Sequence, residues 1–243
     1  MQIRDAARTA DLIERWLGDR VREAGAKGIV VGLSGGIDSA VVAAIARRAF
    51  GHDMLALILP CHSSPSDPED ALFVAGALDV PCRTVDLTAA YDAMAAGLEA
   101  DFELSPMAGA NLKARLRMCA LYAAAQSLGL LVCGTSNRSE VETGYFTKFG
   151  DSASDLWPLA DLLKTEVRAV ARHLGVPGRI VDKAPSAGLW EWQTDEDEMG
   201  FTYDELDRYL MTGEADPGVR DRIEKMRRQS GHKRRPVPVC RIP

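Results

Sequence analysis

Short, unbroken apolar runs alternate with longer stretches of helical period through the first 176 residues. The runs lie at 29–33, 54–59, 80–85 and 130–133, each bounded by Gly, Pro or polar residues. They are too short for helices and predict strands. Leu12, Ile13, Trp16, Leu17 and Val21 recur at helical spacing and predict a helix over 11–24. Further helices are predicted over 37–50, 67–78, 111–128 and 165–174, with Asp67 as N-cap and Pro68 at the first helical position of the third. The strand runs do not alternate in polarity, which marks strands covered on both sides. Strand and helix in turn imply right-handed crossovers and an α/β fold, a doubly wound parallel sheet with helices on both faces. Beyond about residue 177 the strand pattern stops. The chain therefore reads as a single domain, 1–243, with a core over 26–176 and a helical or loop appendage over 177–243.

Composition narrows the class. Hydrophobic residues make up 47% and charged residues 26% of the 243, an ordinary globular balance. The formal net charge is −6, which argues against sequence-independent nucleic-acid binding. No apolar run is long enough to span a bilayer, and the opening MQIRDAARTADLIERW reads as a helix rather than a signal core. The expected compartment is the cytoplasm, with no membrane and no nucleic-acid partner. Five cysteines, none at C-x-x-C spacing, argue against a disulfide framework or a zinc ribbon.

The first strand runs into SGGIDS, residues 34–39. In an open parallel sheet ligands sit beyond the carboxyl ends of the strands. Backbone N–H groups at the following helix N-terminus can take up an anion there. Gly35 and Gly36 permit close approach, and Ser34 and Ser39 add hydroxyls. Asp38 would repel phosphate by itself, so its presence points to a shared Mg²⁺. The lysine of the G-x-x-x-x-G-K-[ST] loop is missing. A plain glycine turn is the competing reading.

SGGIDS resembles the pyrophosphate loop of the N-type ATP pyrophosphatases. NLKARLRM (111–118), LLVCGTSNRSEVETGYFTKFGDSASDLWPLADLLKTEV (130–167), DEMGFTYDELD (197–207) and GHKR (231–234) resemble, in order, blocks of the NAD⁺ synthetases. The resemblance implies an adenine-nucleotide α-hydrolase-like fold and ATP-dependent amidation of deamido-NAD⁺ by free ammonia, with Mg²⁺ as cofactor. By resemblance, Gly32, Leu33, Ser34, Gly35, Gly36, Ile37, Asp38, Ser39, Thr135, Lys164 and Ser186 bind ATP. Arg115, Tyr145, Phe146, Lys148, Asp155, His232 and Lys233 bind deamido-NAD⁺. Asp38 and Glu140 hold the metal, and Asp38 and Lys164 are catalytic. Relatives are homodimers, with the helices at the N-terminus and over 111–128 as candidate interfaces.

The residues by themselves leave alternatives open. Glu140 also suits the first turn of a helix, where an acid favours the dipole. Arg115 shares a helical face with Leu112 and Cys119 and is expected to be partly buried against an anion or in an internal salt bridge. Lys164 is expected just before a helix, where a cation calls for an anion nearby. Arg227, Arg228, Lys233, Arg234 and Arg235 could be solvated or offset the acidic stretch 191–207, in which Thr202 and Glu205 suit a capping box. Two features depart from the family pattern: the 59–71 stretch lacks an arginine, so that His62 or Ser63 substitutes or the contact is absent, and Gly188 stands where relatives often carry an acid. Two rivals remain. One is a related enzyme acting on tRNA or a different acid; the other is an ATP-sensing module without turnover.

Overall fold

The computed structural model describes residues 3–186 and 194–242. Four strands, β1 (Ile29–Gly32), β2 (Met54–Ile58), β3 (Cys82–Thr84) and β4 (Leu131–Cys133), pair in parallel in the order β3-β2-β1-β4. Helix α1 (Ala6–Glu23) precedes β1, and the crossovers carry α2 (Ile37–Phe50), α3 (Ser66–Ala77), and then α4 (Thr88–Glu99) and α5 (Pro106–Leu128). After β4 come α6 (Arg138–Thr143), α7 (Lys164–His173) and α8 (Gly178–Val181), and then α9 (Asp195–Met199), α10 (Tyr203–Thr212), α11 (Pro217–Gln229) and α12 (Gly231–Arg234).

The pleat sorts the apolar runs onto two faces. Ile29, Val31, Met54, Ala56, Ile58 and Cys133 join one core with α1, α2 and α7. Val30, Leu57 and Val132 join another under Leu121, Ala124 and Ala125 of α5. Both faces are covered, as the unbroken runs predicted. Strand order reverses between β1 and β4, so the chain leaves adjacent strands to opposite sides and opens a crevice at their carboxyl ends. A third, smaller core of Met199, Phe201, Tyr203, Leu206 and Ile223 holds the later helices together, with Tyr145 packed against it.

Three boundaries and one whole helix differ from the pattern. α1 begins five residues early, capped by Asp5, whose carboxylate accepts from Arg8 N at 2.7 Å; of these added residues only Ala10 is buried, which periodicity overlooks. α3 starts at Ser66, and Asp67 is inside it rather than capping it, accepting from Lys183 Nζ at 3.2 Å. α5 starts at Pro106 behind an N-cap Ser105. α4 was not anticipated, because it buries only Ala95 and so has no apolar stripe to read.

Candidate active site

The crevice is a cavity of about 540 Å³ between the carboxyl ends of β1 and β4. Gly32, Leu33, Ser34, Gly36, Ile37, Asp38 and Ser39 form one wall, with Thr135, Glu140, Tyr145, Phe146, Lys164, Ser186 and Lys233 around the rest. Five expected residues do not line it: Gly35, Arg115, Lys148, Asp155 and His232.

The 34–39 loop shapes itself. Ser39 Oγ accepts from Ser34 N at 3.2 Å and donates to Gly36 O at 2.9 Å, and Ser34 Oγ accepts from Gly36 N at 3.2 Å. Gly35 has φ +83°, and a Cβ there would meet Asp67 O at 2.8 Å, so only glycine lets α3 pack against this turn. No side chain caps the N-terminus of α2 at Gly36. Its amides and dipole face the cavity, a ready anion site.

Across the crevice, Asn137 caps α6 in a full capping box. Its side chain accepts from Glu140 N at 3.1 Å, and Glu140 Oε2 accepts from Asn137 N at 3.2 Å. Asn137 Nδ2 also donates to Asp38 Oδ1 at 2.9 Å. The helix reading of Glu140 holds: one oxygen serves the cap, while Oε1 lies 3.2 Å from Lys164 Nζ, which is 2.5 Å from Asp38 Oδ2. Lys164 is therefore shared by two carboxylates of the opposing walls.

Lys164 is the first residue of α7 rather than the residue before it, and its side chain is 3% exposed. The anion its position called for is present as these two carboxylates. Burial alone would lower its proton affinity, but Asp38 and Glu140 outweigh burial and hold it raised. Burial pushes Glu140 well above the usual carboxylate range, with Asp38 adding and Lys164 opposing. Asp207 secures the lysine's backbone: it accepts from Thr165 N at 2.8 Å and from Ser139 Oγ at 2.5 Å, and Ser139 Oγ accepts from Lys164 N at 3.0 Å.

The tail clamps the 143–155 loop. Lys233 Nζ donates to Gly144 O at 2.8 Å and Phe146 O at 2.6 Å, and Lys148 Nζ donates to His232 O at 2.8 Å. Arg234 donates to Val141 O and Glu142 O, closing the C-terminus of α6. Arg227 pairs with Glu142 at 2.8 Å and Glu224 at 3.2 Å. These two arginines are thus bound to α6 and α11 rather than solvated. The Thr202–Glu205 capping box is present; Glu191 and Gly188 lie outside the described residues. Asp155 turns away from the cavity, its carboxylate accepting from Val132 N at 2.8 Å and Tyr122 OH at 3.3 Å.

Arg115 is exposed and donates to Lys148 O at 3.3 Å, so the expected burial is corrected. The inward face of α5 carries Ala114, Arg117, Met118 and Leu121 instead. Arg117 donates to Leu59 O at 3.0 Å and Ser63 Oγ at 3.1 Å, and it remains cationic although burial lowers its proton affinity. It puts a guanidinium beside the loop that lacks its own arginine. Ala114, three residues before Arg117, leaves too little trace in a hydrophobic pattern to mark this face in the sequence. His62 is a polar loop residue, 2.6 Å from Asp92 Oδ1. Asp195 was missed because TDEDE looks like the acidic first turn of a solvated helix; it is 5% exposed and accepts from Tyr203 OH at 3.0 Å.

A family profile described as NAD synthase matches residues 9–237. The NH(3)-dependent NAD(+) synthetase of Carboxydothermus hydrogenoformans is 48% identical over 237 residues, 97% of each chain. Among solved structures, NMN synthetase from Francisella tularensis superposes with a TM-score of 0.94 at 40% identity, covering 98% of this chain and 99% of that one. The NH3-dependent NAD synthetase from Campylobacter jejuni does so at 0.81 and 27%, with 98% and 99% coverage. The sheet and crevice are those of an adenine-nucleotide α-hydrolase-like fold. A glycine loop, an opposed carboxylate pair and end-to-end similarity converge on one assignment: this chain belongs to the NAD synthase family, ligases that amidate deamido-NAD⁺ with ammonia at the expense of ATP.

Proposed function

We propose that this cavity makes NAD⁺ in two steps, with named residues at each. In the first, a nicotinate carboxylate oxygen attacks the α-phosphorus of ATP, the α–β bridging P–O bond breaks, and pyrophosphate leaves. The 34–39 loop and the N-terminus of α2 receive the pyrophosphate. Lys164 offsets charge on the transferring phosphorus. In the second, ammonia attacks the activated carbonyl carbon, the C–O bond to AMP breaks, and the nitrogen sheds a proton. Thr135 and Ser186 contact ATP. Tyr145 and Phe146 offer ring faces to the nicotinate, and Lys233 holds the backbone carbonyls of Gly144 and Phe146. Arg117 takes the place of the missing arginine near the nucleotide. Arg115, Lys148 and His232 serve deamido-NAD⁺ from outside the cavity of one subunit.

The observation that carries this reading is the meeting of Asp38, Glu140 and Lys164 below the uncapped start of α2. Asp38 and Glu140 fit Mg²⁺: each already aims an oxygen at one shared cation, and Mg²⁺ takes one or two carboxylates and fills its shell from phosphate and water. When bound, it supplies charge neutralisation on the phosphates. No protein nucleophile is needed. Cys133 reaches the cavity, but burial pushes its thiol far up, so little thiolate exists. We also propose a cytoplasmic homodimer, with apolar residues left exposed on α1 (Leu12, Trp16) and α5 (Met107, Leu128) at the interface, and the 177–243 segment as an appendage of the same domain. No helix among the described residues is long and apolar enough to cross a membrane.

The test is purified protein with ATP, deamido-NAD⁺ and either ammonium or glutamine, read for AMP and NAD⁺. We expect both products with ammonium and neither with glutamine alone. ADP and orthophosphate would overturn the reading. A parallel assay with nicotinate mononucleotide checks the dinucleotide preference against the NMN synthetase of Francisella tularensis.

A further inference from the structure

Lys164 is held by more than its two carboxylates. An ammonium has three N–H bonds; Asp38 Oδ2 and Glu140 Oε1 take two of them, at 2.5 and 3.2 Å. Nζ also lies over the ring of Tyr203, 4.8 Å from its centroid, where the negative face of the ring attracts a cation. Tyr203 is fully buried and does not line the cavity, so its ring sits behind the ammonium, on the protein side. The ring itself is fixed. Its hydroxyl donates to Asp195 Oδ2 at 3.0 Å, the Tyr203 backbone N–H donates to Glu196 Oε1 at 2.9 Å, and Met199, Leu206 and Ile223 share its core. Asp195 is steadied in turn by a second hydrogen bond, from Tyr145.

The same helix holds the other end of the lysine. Asp207 stands four residues after Tyr203, on the same face of α10, and is fully buried. Its carboxylate accepts from Thr165 N and Ser139 Oγ, and that serine oxygen accepts from the Lys164 amide. One face of α10 therefore fixes the backbone of Lys164 through Asp207 and its ammonium through Tyr203. We propose that Tyr203 is a positioning residue for adenylation: its ring face backs Lys164 Nζ and turns the third N–H of the ammonium toward the phosphorus under attack. The proposal rests on the adenylation role given to Lys164 above and adds the device that aims it.

A lysine needs such a device. Its ammonium is a point charge on a flexible stem, with none of the built-in direction of a guanidinium. The two carboxylates come from opposing walls and pull Nζ into the line between them. The ring fills the space into which the stem could draw back, and the cavity is the direction left for the third N–H. Misplacing a reacting group by about 1 Å costs on the order of 10²-fold in rate. The competing role for Tyr203 is plain packing in the small core of the later helices. Packing acts on stability and on binding of both substrates. Aiming acts on the rate of the step that uses Lys164, leaves ATP binding alone, and vanishes when Lys164 is absent.

The experiment uses the full chain. Exchange of labelled pyrophosphate into ATP, with deamido-NAD⁺ and no ammonium, reads adenylation alone. Tyr203→Leu should slow maximal exchange about tenfold or more with the ATP KM within about twofold of wild type, and Tyr203→Phe, which keeps the ring, should restore exchange to within about threefold. In a chain already carrying Lys164→Met, adding Tyr203→Leu should cost less than about twofold more. Equal rates for the Leu and Phe variants, or a further tenfold loss in the Lys164→Met background, overturn the proposal. Should Tyr203→Leu not fold, phenylalanine and pentafluorophenylalanine are compared at position 203. They share a shape and differ in the charge on the ring face. The fluorinated chain should exchange about tenfold more slowly, and equal rates overturn the proposal. Wild type that exchanges no pyrophosphate would instead refute the adenylation reading itself.

Discussion

The 34–39 loop holds itself with bonds that span at most five residues, from Ser34 to Ser39 and back to Gly36. The wall opposite is held across the chain: Asp207 reaches back 68 residues to Ser139 and 42 to Thr165, and Ser230 Oγ donates to Thr143 O, 87 residues away. One side of the cavity is thus a local motif set on a sheet. The other is an assembly of helices that exists only once the C-terminal segment has docked. Self-contained loops tolerate change elsewhere in the fold; a docked wall should respond to substitutions far from the chemistry.

The largest effect is expected where the two sides meet. Lys164→Met leaves Asp38 and Glu140 facing each other without their cation. Removing one partner of a buried ion pair costs about 3–5 kcal/mol, and losing one electrostatic contact to a transferring group costs about 10²–10³ in kcat. Calorimetry and pyrophosphate exchange read the two losses separately; near-wild-type values in both would show that the sides are not coupled through this lysine.

Docking itself is broken next. Gly144 has φ +69°, and a Cβ there would lie 2.1 Å from Ser230 Cβ. Gly144→Ala should destabilise by about 1–3 kcal/mol through overpacking, more if the left-handed backbone also relaxes. Activity should fall with it, because Tyr145 and Phe146 follow directly. A melting temperature within a degree of wild type would mean that α12 does not hold this loop.

Acidity sharpens the contrast. Glu140 is pushed up to about 8, first by burial. A carboxyl group with a raised pKa binds more protons folded than unfolded, so stability falls as pH rises from the ordinary Glu range toward that value. A divalent cation that binds the ionised form should therefore add more to the melting temperature at pH 8.5 than at pH 6. Equal Mg²⁺·ATP stabilisation at both values would remove Glu140 from the metal site.

The smallest effect is expected at the surface of the docked wall. Thr202→Ala opens the capping box of α10 and should cost about 1 kcal/mol, read by denaturant midpoint, with exchange activity unchanged.

These contrasts also explain what could be read in advance. The sheet was legible because its strands are buried on both faces and carry unbroken apolar runs. The glycine loop was legible because six consecutive residues contain its whole geometry. Lys164 and Glu140 came through resemblance, since neither spacing nor polarity shows that α6 and α7 converge. The arginine of α5 was misread because two faces of that helix look alike: Arg115 sits with Leu112 and Cys119, yet Cys119 is exposed and the inward stripe runs through Ala114 and Arg117. Small residues carry much of this interior, and alanine leaves little trace in a hydrophobic pattern. Asp195 and Asp207 look like solvated acids; their burial depends on tyrosine, serine and backbone partners brought by folding.

Asn137 carries a consequence of its own. Its oxygen takes the Glu140 amide while its nitrogen gives to Asp38, 99 residues earlier. Among small side chains only an amide has a proton-bearing arm and a lone-pair arm of equal length, so the orientation is forced. Aspartate there would set two anions face to face, and leucine would sever the bridge. The width of the cleft is thereby fixed in advance of any nucleotide, by a rivet spanning the two halves of the sheet, and a fragment lacking β4 would keep the glycine loop yet have nothing to measure its distance from.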